Sequence, residues 1–136
     1  MTIYICLSCN KDFSFKAGNK AKYCSIKCQK NFQDNRRYDS WINGNTKAWA
    51  IGSKGLKKAV VKKNGYYCDV CKIEKWNEKY ICLELEHKDG NSENNLPENL
   101  CLICPNCHSQ TSTYKAKNKG NGRYSRRLRY FQRKSY

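Results

Sequence analysis

A small α+β fold stabilised by zinc is what the sequence predicts, and three observations carry that prediction. The first is size set against apolar content. The chain has 136 residues, 39% of them hydrophobic and ten of them cysteine, enough for one ordinary domain or two small ones but too few apolar side chains to rest on burial alone. The second is the placing of the cysteines: eight fall in four close pairs, Cys6/Cys9, Cys24/Cys28, Cys68/Cys71 and Cys104/Cys107. Two cysteines separated by two or three residues can turn both sulfurs toward one ion about 2.3 Å away, and two such knuckles complete a tetrahedral shell. The third is a change of hydropathy period, from helical spacing of Leu56, Ala59 and Val60 to strand alternation of Leu83 and Leu85 against Glu84 and Glu86.

Taken along the chain, residues 1–35 form an N-terminal zinc ribbon with little regular structure. Cys6, Cys9, Cys24 and Cys28 are its ligands, and Phe13, Phe15 and Tyr23 its miniature core. Residues 36–64 form a basic linker. It holds a short helix around Arg36–Trp41, then a second helix from the cap Ser53 to the stop Gly65, whose outer face carries Lys54, Lys57, Lys58 and Lys62. That lysine face serves either plain solvation or phosphate binding. Residues 65–118 form the second metal module, in which Cys68, Cys71, Cys104 and Cys107 bracket a 32-residue interval. The interval is expected to hold a half-buried strand over Tyr80–His87, a polar loop from Asp89 to Pro97 and a second strand over Leu100–Ile103. A helix follows from near Cys104 toward Tyr114, with Pro105 in its first turn. Residues 119–136 are a basic arm. Cys82 and Cys101 lie in apolar runs and are expected to be buried, reduced thiols.

Charge and flanking sequence exclude several classes. No apolar run approaches the twenty or so residues that span a bilayer, and the N-terminus lacks the basic flank and apolar stretch of a secretory signal. The expectation is a cytoplasmic protein with no membrane partner and with thiols rather than disulfides. The net charge is +16, and two four-thiolate zinc sites leave it at about +12. The interval 65–114 is acidic while both flanks are basic, so positive arms surround a site suited to a cation. Lys57, Lys58 and Lys62 in the linker, with Arg123, Arg126, Arg127 and Arg129 in the arm, are the candidate nucleic-acid contacts.

Both histidines lie in or at the edge of that acidic interval. Glu86-His87 closes the first strand, His108 follows Cys107, and Asn99 opens the second strand. These are the parts of metal-assisted phosphodiester hydrolysis. Glu86 and His108 can ligate a hard divalent cation, His87 can deprotonate a water near neutral pH, and Asn99 can orient that imidazole. Strict alternation puts Glu86 and His87 on opposite faces, so the strand must end or bulge at this point.

The segments Glu86-His87-Lys88-Asp89-Gly90-Asn91, Pro97-Glu98-Asn99-Leu100 and Cys104-Pro105-Asn106-Cys107-His108-Ser109 resemble the HNH motif of the ββα-metal nucleases. The likeness extends through Trp41, Gly44, the Cys68–Cys71 knuckle, Trp76 and the run Asn118–Arg123, as in phage-encoded HNH endonucleases that carry an N-terminal zinc ribbon. The resemblance implies a ββα-metal (HNH) core plus that ribbon, and a phage-encoded, homing-type endonuclease acting on double-stranded DNA. It makes His87 the general base, Asn99 its orienting residue, and Glu86 with His108 the ligands of one catalytic Mg2+ or Mn2+. Two structural Zn2+ would fill the four-cysteine sites. Many such nucleases have Asp before the base; Glu86 keeps the carboxylate with one more methylene. Two other classes stay open on the residues alone: a non-catalytic zinc-dependent DNA-binding protein, and an RNA-binding zinc protein that stacks Tyr and Trp on single strands.

Overall fold

A computed structural model of the chain describes residues 2–15, 21–46, 53–120 and 123–133. The chain opens with an antiparallel hairpin of β1 (Thr2–Ile5) and β2 (Asp12–Phe15), in register Thr2 with Phe15 and Ile5 with Asp12. Regular structure is therefore present in the ribbon, although among its described residues Cys6 is the one fully buried side chain. Tyr4 packs on Phe13 and Tyr23 on Phe32, with ring centroids 5.9 and 5.4 Å apart. The Phe15 side chain lies outside the described residues.

Helix α1 (Ile26–Ile42) begins inside the ribbon and runs across the expected boundary at residue 35. Ser25 caps it by accepting from the Cys28 N–H at 3.1 Å. At about 1.5 Å per residue this single helix extends some 25 Å. It carries Cys28 near one end and Trp41, wholly buried, near the other.

Helix α2 (Ser53–Asn64) ends as its pattern predicts, with Gly65 at φ +97 donating to Val61 O. Its buried face of Leu56, Ala59 and Val60 lies on the sheet of β5 (Glu84–His87) and β6 (Leu100–Ile103). Trp41, Leu83, Leu100, Leu102, Ile103, Cys68 and Cys104 complete that core. Burying each of Val60, Leu83, Leu100 and Ile103 contributes about 1.5–3 kcal/mol.

The strand expected over Tyr80–His87 is broken. Tyr80 belongs to a separate two-residue hairpin of β3 (Lys75–Trp76) and β4 (Lys79–Tyr80), turned by Asn77 and Glu78 at φ +49 and +63. Residues 81–83 stay out of the ladder because other groups take their backbone polar atoms. Ile81 N donates to Glu74 O, Tyr66 Oη donates to Ile81 O, and Lys57 Nζ donates to Leu83 O at 2.5 Å. Cys82 is exposed there, correcting its expected burial; Cys101 is buried as expected, and that burial pushes its thiol up to about 11.

Helix α3 spans only Pro105–Ser109 and does not continue toward Tyr114. Hydroxyl-rich residues compete with the helix ladder, as when Thr111 Oγ1 donates to His108 O at 2.9 Å. A 3-10 turn at Lys115–Lys117 and helix α4 (Arg123–Phe131) follow. Among the described residues, no helix is long and apolar enough to cross a membrane.

Candidate active site

The four-cysteine groups form as the spacing predicts. In each set, Cys6, Cys9, Cys24 and Cys28 or Cys68, Cys71, Cys104 and Cys107, the sulfurs lie within 4.8 Å of one another. Cys9 to Cys24 is 3.7 Å, Cys24 to Cys28 is 3.4 Å and Cys71 to Cys104 is 3.8 Å. Sulfurs about 2.3 Å from one zinc stand about 3.8 Å apart in a tetrahedron, whereas a disulfide needs about 2.05 Å. The donor set therefore fits zinc. Burial raises the Cys6 thiol, but N–H groups of Cys24, Ser8 and Cys9 outweigh it and bring it down to about 6. Cys68 follows the same pattern, with burial opposed by the N–H groups of Cys71, Cys104 and Val70, and also falls to about 6. Neighbouring thiols push Cys24 up to about 12, Cys28 foremost, and Cys104 with burial does the same to Cys107.

Strand β5 then sets out a second group of candidate side chains. Glu86 pairs with Cys101 and His87 with Leu100 without an interposed residue, so the strand ends at His87 rather than bulging. Glu84 and Glu86 share one face by the two-residue period. Beyond β6, the second knuckle turns the chain into α3, and His108 arrives over that face. Its Nε2 lies 3.1 Å from Glu86 Oε2, and its Nδ1 meets Glu84 Oε2. Thr113 Oγ1 donates to the other Glu86 oxygen at 2.5 Å, and Tyr114 sets its ring edge-on to His108.

The two carboxylates meet the two ring nitrogens of His108 separately. A carboxylate on Nδ1 holds the proton there and leaves the Nε2 lone pair directed at Glu86. An Nε2–Oε2 separation of 3.1 Å suits an imidazolium that donates to Glu86, and it equally suits a shared cation, since neighbouring ligands about 2.1 Å from an octahedral ion stand about 3.0 Å apart. The residues present thus fit a divalent ion with open positions. Glu86 is the more sheltered carboxylate, its side chain 12% exposed against 48% for Glu84.

The environment of His87 differs from the expectation. Its Nε2 hydrogen-bonds with Asn95 Oδ1 at 2.9 Å. Asn99, buried, instead organises the loop: Nδ2 donates to Asp89 Oδ1 and Asn94 O, and Oδ1 accepts from Asp89 N. Burial raises the Asp89 carboxyl, but donation from Asn94, Asn91 N and Asn99, and the nearby His87, more than offset it and hold it below the usual range. Trp41 Nε1 donates to Asn95 O at 2.7 Å, so α1 fixes the residue that touches the imidazole. From the C-terminal part of the chain, Asn118 Nδ2 donates to Gly90 O, and Arg129 pairs with Glu93 at 3.5 Å. Gly90, at φ +72, admits no side chain, since a Cβ would stand 2.7 Å from Asn118 Oδ1 and Thr113 Cγ2.

The basic candidates divide. Lys57 is committed to Leu83 O, and Lys62 donates to Asn35 Oδ1 while lying 4.0 Å from the centre of the Tyr38 ring. Lys58 and Arg127 are exposed, whereas Arg129 also donates to Gly120 O. The side chains of Arg123 and Arg126 lie outside the described residues. Sequence reasoning missed Glu84, Asn95 and Thr113. Only Glu84, two residues before Glu86, left a visible sign there.

No protein-family model matches the chain, and no solved structure matches it. Among characterised proteins it is 42% identical over 99 residues to the H-N-H endonuclease F-TflIV of Escherichia phage T5, covering 68% of this chain and 43% of that protein. It is 31% identical over 71 residues to the Zorya protein ZorE of Escherichia coli, covering 52% of this chain and 18% of that protein. The chain thus spans less than half the length of either relative. With two four-cysteine groups suited to zinc and 42% identity over two thirds of its length, the chain resembles a phage HNH endonuclease.

Proposed function

We propose that this chain is a metal-dependent HNH endonuclease that hydrolyses phosphodiester bonds in double-stranded DNA. The observation that carries the reading is His108, held by Glu84 through Nδ1 and presenting Nε2 to Glu86 at 3.1 Å. Glu86 and His108 would hold one Mg2+ or Mn2+, which supplies charge stabilisation of the scissile phosphate and of the leaving 3′ oxygen. With Asn95 Oδ1 accepting at Nε2, the His87 proton resides there and Nδ1 is left basic. His87 Nδ1 takes the proton of the attacking water as its oxygen approaches phosphorus. Asn99 keeps the Asp89–Asn94 loop in shape around that imidazole, and Trp41 and Arg129 bond to the same loop at Asn95 and Glu93. The ββα-metal core is β5, β6 and α3. The cysteine sites are structural, and a homing-type role belongs to the same reading.

The test is cleavage of duplex DNA by the zinc-loaded protein with Mg2+ or Mn2+ added. His87→Ala is expected to keep zinc and DNA binding and to lose about 10² to 10⁴ fold in rate, the contribution of a positioned general base. Undiminished cleavage by His87→Ala overturns His87 as the general base, whereas no cleavage by the unaltered protein overturns the nuclease reading and favours a non-catalytic DNA-binding protein.

A further inference from the structure

Helices α1 and α2 meet where Lys62 of α2 reaches Asn35 and Tyr38 of α1. Between them is an open groove of about 280 Å³, lined by Arg37 and Tyr38 on one wall and Lys54, Gly55, Lys58 and Lys62 on the other. Four cations against a single carboxylate, Asp34, face this space. Asp34 already pairs with Arg37 at 3.6 Å.

The cost of this arrangement is visible in α2. Its first turn carries Lys54 and no acidic residue, although the positive end of a helix dipole disfavours cations there. Lys58 repeats the charge one turn later, on the same stripe as Lys54 and Lys62 and away from the buried face of Leu56, Ala59 and Val60. Lysines gathered against the dipole and against one another weaken the free protein. An anion seated in the groove would relieve both repulsions.

We propose that the groove between α1 and α2 is a seat for one or two backbone phosphates of duplex DNA, held by Arg37, Lys54 and Lys58. The inference rests on the nuclease reading above and adds a place, apart from Glu86 and His108, where the duplex is gripped without regard to sequence. Lys57 is not part of it, because its ammonium serves Leu83 O on the sheet side. The α1 wall makes the groove a two-helix feature rather than a lysine face, and α1 also carries Trp41, which braces the His87 loop.

The test uses the full zinc-loaded chain without added divalent metal, binding a short duplex over a series of salt concentrations. The paired variant Lys54→Ala/Lys58→Ala should bind more weakly at every DNA sequence, with a log affinity against log salt slope shallower by about 0.9 for each phosphate no longer neutralised. Lys54→Arg/Lys58→Arg should restore the slope. The melting temperature of the alanine variant should stay level or rise, because a repulsion has been removed; a purely structural role predicts the reverse. An unaltered slope and affinity in the alanine variant, beside normal binding by the parent chain, overturns the groove and leaves the nuclease reading intact. No binding by the parent chain overturns both.

Discussion

The two four-cysteine sites have the same local build and differ in what packs around it. In the first, Cys6 N donates to Lys11 O, Asn10 N donates to Cys6 O, and Asn10 has φ +57. In the second, Cys68 N donates to Ile73 O, Lys72 N to Cys68 O, and Lys72 has φ +61. In both, the second cysteine pair sits at a helix start, capped by Ser25 in one and by the Cys104 sulfur in the other. The surroundings then diverge. Cys6 is buried among exposed neighbours, with Ile3, Ile5, Leu7 and Ile26 all open to solvent, whereas Cys68 and Cys104 are members of the central core. One metal shell replaces a core, while the other is a corner of one and leads directly into His108.

That contrast predicts unequal losses. Cys68→Ser should unfold the region from α2 to α3, since it opens a metal shell and a packed core together, seen as loss of near-ultraviolet signal from buried Trp41. Cys6→Ser should release one zinc ion and leave that signal in place. Equal unfolding by both variants would show that α1 couples the two sites into one cooperative unit.

A smaller effect is expected one step away from the proposed metal ligands. Glu84→Gln keeps an oxygen near His108 Nδ1 but removes the charge that fixes its proton, and should weaken Mn2+ affinity about 10 to 100 fold. Zinc content should not change, because Glu84 belongs to neither four-cysteine site. Unchanged Mn2+ affinity would make the Glu84–His108 pair a surface ion pair.

The cysteine sites themselves should differ least, in their response to pH. In the metal-free protein Cys6 and Cys68 lie at about 6, and Cys24 and Cys107 at about 12. At neutral pH the first two are already thiolates and the last two carry protons, so zinc entry must release protons in both modules. Zinc affinity should therefore rise with pH alike in each, measured by calorimetry in buffers of different ionisation enthalpy. A pH-independent affinity in either module would mean that its ligands are not these thiols.

The cysteine pairs were legible because ligand spacing is local, and β6 and the end of α2 because period and Gly65 are local too. Asn95 was not legible, since its role depends on Trp41 arriving from a helix 54 residues away. The β3–β4 hairpin escaped because its turn is Asn77-Glu78, which lacks the glycine that usually marks one. Over Tyr80–His87 the alternation was real, but bonds from Tyr66 and Lys57 claimed the middle of it.

The central claim is that the catalytic cation is held by Glu86 and His108, apart from both cysteine sites. Electron paramagnetic resonance titration of the zinc-loaded chain with Mn2+, with zinc counted in the same samples, tests it most directly. Two retained zinc ions and one exchangeable Mn2+ site are expected, with the Mn2+ site lost in His108→Ala together with cleavage while both zinc ions stay. Mn2+ binding that survives His108→Ala, or a zinc ion lost with it, would contradict that claim.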